Sequence, residues 1–488
     1  MKILNKISKL KISALSLAFV MSISSCDKDF LEAVPELDLS DATVFATPAR
    51  VLSQVNGLYS SAKNGSLFGG RYQIYNDIRA EEWVNRTTNS VTGYSTYQGN
   101  QDPSDTYIAA FWNQGYLTIN RINLFLEGVD ANASKIDATL AANYKGEAKF
   151  LRALTYFSLV QIFAKPYVLD NGASKGLPLR LKGEVTNAGN ELARSTVAEV
   201  YAQILKDLDE AEAGLPDTYS TPLLRTTRAH KNTAIALKTR VLLAKKDYAK
   251  VIAEADKIVS KTAPFTSASV AAARAPHSLS TDVVSVFRSP YTANESIFSF
   301  PMAETNAPGT QNQLGYYFNA GNVEYTINTG ATGIYANPQW RLGDDRKAKM
   351  TVATTSVAAN PSSTKFSGVS PYIDFVPMIR YAEVLLNLAE AEAEAGSADR
   401  ALALLKAVHL RSDATYDFGT LDKAALIKAI LTERRIELFA EGFRSNDILR
   451  RGESIVSFGA GATINSSDAR YIYGIPITEQ QTNPGINK

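Results

Sequence analysis

The sequence predicts a mainly α-helical protein in which paired helices form a scaffold interrupted by loop-rich inserts. Three observations lead to this expectation. Apolar residues recur at helical spacing through most of the chain. Several helical segments are joined in pairs by two-residue turns, Lys246-Asp247 and Gly396-Ser397. Two long stretches, about 66–107 and 261–374, lack that periodicity and are rich in Gly, Asn, Thr and Tyr.

The chain opens with Lys2, Lys6, Lys9 and Lys11 and no acid before Cys26. An apolar run follows and ends in Ile23-Ser24-Ser25-Cys26. At about 14 residues the run is too short to span a bilayer comfortably. Basic and then apolar, residues 1–25 read as a secretory signal. Small residues before the sole cysteine resemble the bacterial lipobox, so Cys26 is the expected lipidation site. A multiply acylated cysteine would anchor stably in an outer-membrane lipid layer, since each buried methylene contributes about 0.8 kcal/mol. Asp27, Lys28 and Asp29 follow, and acids at this place resemble a surface-export signal of some Gram-negative bacteria. Residues 26–47 read as a lipidated tether and entry segment, and 48–488 as a single domain. Without the four leader lysines, 47 basic residues face 49 acidic ones, which leaves no basic footprint for nucleic acid.

Helical signals begin at Pro48, which suits a first helical turn. They resume over 107–127 and 135–163, where Phe150, Leu154, Phe157 and Gln161 share one stripe. Pro166 stops that run. Ser195 or Thr196 caps a helix to Ala213, ended by Gly214 and Pro216. Helices over 231–245 and 248–260 form one pair, and 376–395 and 399–411 another. Each unit spans roughly 30–36 residues and resembles a tetratricopeptide repeat. The last strong helix runs over 425–441. Helix pairs are thus expected at about 107–163, 196–260, 376–411 and 425–452. In the last of these, Arg434 with Glu437 and Asp447 with Arg451 have the spacing of helix-face neighbours. These charges are expected to join helix ends to neighbouring segments.

Several segments together are similar to SusD/RagB-like nutrient-binding outer-membrane lipoproteins. They are Gly146-Glu-Ala-Lys-Phe-Leu-Arg-Ala-Leu-Thr-Tyr-Phe, the capped helix from Ser195 with Leu215-Pro216, and Phe375-Val-Pro-Met-Ile-Arg-Tyr-Ala-Glu-Val-Leu-Leu-Asn-Leu-Ala-Glu-Ala. The run from Glu433 to Gly452 and the end Tyr473-Gly-Ile-Pro-Ile-Thr-Glu-Gln-Gln-Thr-Asn-Pro complete the set. The resemblance implies four tetratricopeptide-like helix pairs beneath a loop-rich ligand surface. It also implies a cell-surface position over a SusC-like TonB-dependent transporter, delivering oligosaccharides or, in some members, peptides. No catalysis and no cofactor are implied.

A sugar presents hydroxyls and C–H faces, which amides and aromatic rings match. The first insert offers Trp83, Asn85, Tyr94 and Tyr97, and the second Tyr316, Tyr317 and Trp340. Trp112 opens an amphipathic helix and is expected in the core. The three histidines, His230, His277 and His409, have no metal-binding spacing and are expected to be structural. No nucleophile elbow, phosphate loop or dinucleotide fingerprint is present. Glu81 and Glu82 are expected to be solvated or to hydrogen-bond a ligand.

Overall fold

A computed structural model describes residues 44–186, 188–353 and 360–488. The leader at 1–25, Cys26 and most of the 26–47 segment lie outside the described residues. By its contacts the chain separates into 1–51 and 52–488. Of the first unit only 44–51 are described, ending in the first residues of helix α1 (Pro48–Ala62).

The second unit, 52–488, is mainly α. Helix α2 (Arg71–Ile78) is followed by the long α3 (Thr106–Ala131) and α4 (Ala138–Phe163). Asp105 caps α3 by accepting from the backbone N–H of Tyr107 and Ile108, and Asp137 caps α4 through Leu140. Helix α5 (Val197–Gly214) opens with a reciprocal capping box between Thr196 and Glu199. Two glycines let α4 and α5 approach: a Cβ on Gly146 would press on the Leu215 backbone, and one on Gly214 on the Ala142 carbonyl. Helices α6 (Lys231–Ala244) and α7 (Tyr248–Ala255) form the next pair. Helices α8 (Tyr381–Ala395), α9 (Ala398–His409), α10 (Lys423–Glu437) and α11 (Arg444–Arg451) complete the scaffold. Successive helices pack on one another from α3 to α7, and α7 then packs on α8. The helix pairs that the 261–374 insert separates in sequence are therefore adjacent in space.

Two expectations need correction. The 66–107 stretch is not all loop, because it contains α2. All eight residues of that helix are buried although four, Arg71, Gln73, Asn76 and Asp77, are polar, so its composition reads as loop. The segment from 376 does not begin as helix. Val376–Arg380 is strand β4, antiparallel to β2 (Ser296–Phe300), and it runs straight into α8. All five residues of β4 are buried, so its apolar run merges with that of the helix. A further short ladder pairs β1 (Trp83–Asn85) with β3 (Tyr325–Ile327), joining the two inserts.

The helix stack meets the inserts at a buried ionic network. Glu437, at the end of α10, contacts Arg346 and Arg380, each at 2.8 Å, and also Arg411. Arg380 reaches on to Glu295 at 2.5 Å and Glu441 at 2.7 Å, and Lys365 meets Glu441 at 2.6 Å. Arg346 contacts Glu433, which also meets the His409 ring at 2.6 Å. The expected helix-face partners in 433–452 are exchanged for others. Arg434 reaches Asp447 across the α10–α11 turn at 3.1 Å, and Arg451 reaches Glu390 on α8 at 2.9 Å. The charges do join helix ends to neighbouring segments.

Burying these carboxylates would by itself raise their pKa values. The facing cations outweigh that and hold them below the ordinary range: Arg411, Arg380 and Arg346 act on Glu437, and Arg346 on Glu433. Arg434 and Arg450 do the same for Asp447. Carboxylates depressed in the folded state contribute stability that is complete above their unfolded pKa, about 4.3, and is lost as pH falls. Unfolding midpoints should therefore drop steeply below about pH 4, and the drop should be shallower in Glu437→Gln. Arg380→Met removes a cation shared by three buried carboxylates, Glu295, Glu437 and Glu441, and should cost about 3–5 kcal/mol in chemical denaturation at pH 7. A loss under about 1 kcal/mol would contradict this account of the network.

Candidate functional site

The first insert is held against the second by β1 and β3, with Asn85 opposite Tyr325. A continuous line of rings grows from this junction. Tyr94 stacks near Tyr97 at 6.2 Å, and Tyr97 meets Tyr325 edge-on at 5.7 Å. Tyr325 stacks on Tyr317 at 6.1 Å, and Tyr317 neighbours Tyr316 at 6.2 Å. Tyr316 meets Tyr372 edge-on at 5.7 Å. Tyr97, Tyr325 and Tyr317 are buried, whereas Tyr94 at one end and Tyr316 and Tyr372 at the other are half-exposed. Amides accompany the open ends. Gln98 Nε2 donates to the Tyr94 hydroxyl at 2.9 Å, and Gln311 Nε2 to the Tyr316 hydroxyl at 3.2 Å.

The backbone beside Tyr316 is held in costly conformations. Gln311 has φ 63° and Tyr372 φ 57°, a region non-glycine residues seldom adopt. Such outliers persist only where the surroundings over-determine them, and they gather at functional sites. Gly70, at φ 148°, precedes α2, and a Cβ there would overlap the carbonyl oxygen of Asn312. That contact brings Arg71 beneath the second insert. Its Nε donates to Asn312 Oδ1 at 2.7 Å, its Nη1 to the Tyr75 hydroxyl at 3.0 Å, and Tyr107 covers it at 4.8 Å.

The residues singled out in the sequence divide in two. Trp83 is fully buried, sandwiched between Phe318 at 4.1 Å and Phe439 at 4.7 Å. Trp340 is 2% exposed and packs on Phe439 and Tyr335. With both of its faces covered, Trp83 offers none to a ligand, and Trp340, Tyr317 and Tyr97 likewise serve the packing in this structure. Asn85 is half-exposed and forms a turn, its Oδ1 accepting the N–H of Thr88 at 2.8 Å. Tyr94 and Tyr316 remain accessible. Sequence reasoning missed Arg71, Tyr107 and Tyr372. Tyr107 reads as part of a helix, Arg71 as part of a loop, and only the fold places them beside the second insert.

Glu81 and Glu82 are not solvated, contrary to expectation. Both are 3% exposed and clamped by Arg444 and Arg435, with Glu81 to Arg444 at 2.5 Å and Glu82 to Arg435 at 2.7 Å. Burial raises the Glu82 pKa, which Arg435 partly counters. Trp112 lies in the core, edge-on to Phe163 at 4.9 Å. His230 and His277 stack at 5.3 Å, both buried, and burial pushes His277 down to about 4. Among the described residues no group of three or more His, Cys, Asp or Glu is placed to hold a metal ion. A separate small cavity within the helix stack, about 20 Å³, lies among Gln73, Arg240, Arg434 and Asn446. Its unpartnered Gln73 Oε1 and Asn446 Oδ1 suit ordered water.

The profile of a family described as "Starch-binding associating with outer membrane" matches residues 29–243, and that of the SusD family matches 286–487. A SusD-like protein of Formosa agariphila is 23% identical over 89% of this chain and 88% of its own length. A SusD-like carbohydrate binding protein of Bacteroides vulgatus shares the fold, with 20% identity and a TM-score of 0.73 over 90% of this chain and 97% of that one. A SusD superfamily protein of Bacteroides fragilis is 34% identical, with a TM-score of 0.80 over 91% of this chain and 100% of that one. With profiles matched in both halves and a structural relative of such identity and coverage, the chain belongs to the SusD family.

Proposed function

We propose that this protein is a non-catalytic, lipid-anchored component of the outer cell surface that binds oligosaccharides or polysaccharide and passes them to a SusC-like TonB-dependent transporter. The observation that carries the reading is the pairing of half-exposed tyrosines with amides at the two open ends of the ring line that joins the inserts. Tyr94 with Gln98, and Tyr316 with Gln311 and Tyr372, present rings for C–H surface and amides for hydroxyls. The family to which the chain belongs supports the carbohydrate class and the outer-membrane setting. Cys26 supplies the anchor in this reading, and the lipid keeps the binder at high effective concentration beside its transporter. The second reading, peptide capture by the same architecture, rests on the family alone.

Isothermal titration against a panel of oligosaccharides and peptides tests the ligand class. At least one glycan should bind, and binding to peptides alone would transfer the proposal to the second reading. Tyr94→Ala and Tyr316→Ala should each weaken the glycan by about tenfold, or ~1.4 kcal/mol, with unfolding midpoints nearly unchanged. Trp83→Ala should do the reverse in emphasis, costing about 3–5 kcal/mol of stability through the cavity it leaves. Cys26→Ala should keep the purified protein's affinity and reduce uptake in cells; equal uptake would show that the anchor is dispensable.

A further inference from the structure

The buried arginines of this protein nearly all face carboxylates. Arg152 meets Asp207 at 2.6 Å, Arg240 meets Glu383 at 2.5 Å, and Arg450 meets Glu390 at 2.6 Å. Arg71 is 5% exposed, yet no carboxylate among the described residues pairs with it. Arg79, on the same stretch, also has none, but its Nη2 holds two backbone carbonyls, those of Arg470 and Tyr471, at 3.0 and 2.9 Å. For Arg71 the acceptors are one amide oxygen, Asn312 Oδ1, and one phenol, Tyr75, with the Tyr107 ring over the guanidinium. Its Nη2 has no acceptor among the described residues and is not fully enclosed, so this one nitrogen of the fork is open to water or to a ligand. A buried cation is costly unless its donors are satisfied, and an oxyanion reaching the open Nη2 would complete those of Arg71.

The place of Arg71 says which anion. Asn312 and Tyr107 are both half-exposed, and Asn312 follows Gln311, whose amide donates to Tyr316. Gly70 allows the closest approach of this backbone to the second insert. A guanidinium fork fits a planar or tetrahedral oxyanion through parallel N–H donors.

Resting on the glycan-binding reading above, we infer that the site takes an acidic sugar, whose carboxylate or sulfate completes the unfilled edge of Arg71 beside Asn312. The neutral rings of the same chain would lie along Tyr316 and Tyr372. A wholly neutral glycan would leave the buried cation unpaired and bind less well for that reason.

The test compares glycans of one length on the full-length protein: an oligogalacturonate, its methyl ester, a sulfated galactan oligomer and an unsulfated one. An acidic oligomer should bind about tenfold or more tighter than its neutral counterpart, and the gap should narrow as salt rises. The uronate and sulfate arms identify which oxyanion is preferred. Arg71→Lys, which keeps the charge and loses the fork, should shrink the ratio of acidic to neutral affinity. The wild-type comparison stands even if that variant fails to fold. Equal binding of acidic and neutral oligomers would overturn the inference and leave the glycan site intact. Failure of every glycan, neutral or acidic, would overturn both.

Discussion

One buried carboxylate, Glu437, holds the structure in register. It lies at the end of α10 and meets arginines from three separate segments: Arg346 from the second insert, Arg380 from the end of β4, and Arg411 from the chain after α9. A charge in the interior tolerates no vacancy among its partners, because removing one leaves an ion unpaired in a poorly polarisable medium. The three segments must therefore arrive together. Hydrophobic packing alone permits small slides between helices, whereas a carboxylate bonded on several sides permits few. Glu441 and Glu433 extend the constraint to Lys365 and His409, so the base of the second insert is fastened at several points.

That base positions the face above it. Phe439, two residues after Glu437, lies against one side of Trp83, and Phe318 of the second insert covers the other. Trp83 thus ties the end of the last scaffold helices to both inserts at once. Its own strand pairs with Tyr325–Ile327, and Tyr325 is the middle of the ring line that ends at Tyr94 and Tyr372. The residue that looked most like a ligand platform is the support on which the accessible tyrosines rest.

The readable and unreadable parts of the sequence differ for physical reasons. Helices with one wet face announce themselves, as does the cap at Thr196, one of several in the structure. Asp105, Asp137, Thr196, Ser397 and Asp422 all accept from the first turn of a helix. Buried elements break the usual link between polarity and exposure: α2 buries four polar residues and reads as loop, and β4 merges with the apolar run of α8 and reads as the start of a helix. Ring fates depend on distant partners. Nothing near Trp83 in sequence shows that Phe318 and Phe439 will close on it, while Tyr94 and Tyr316 stand in similarly polar surroundings and stay accessible. Arg71 has no local mark at all, because its partners, Asn312 and Tyr107, are distant in sequence.

The ring line has a consequence for selectivity. Its two open ends are separated by three buried rings, Tyr97, Tyr325 and Tyr317, that no ligand reaches in this arrangement. A single sugar resting on the face touches one end only. In the proposed reading, a longer chain that reached both ends would make its second contact from an already tethered position, at a smaller entropic cost. Under the proposed glycan-binding function, such a surface would favour long chains over short fragments.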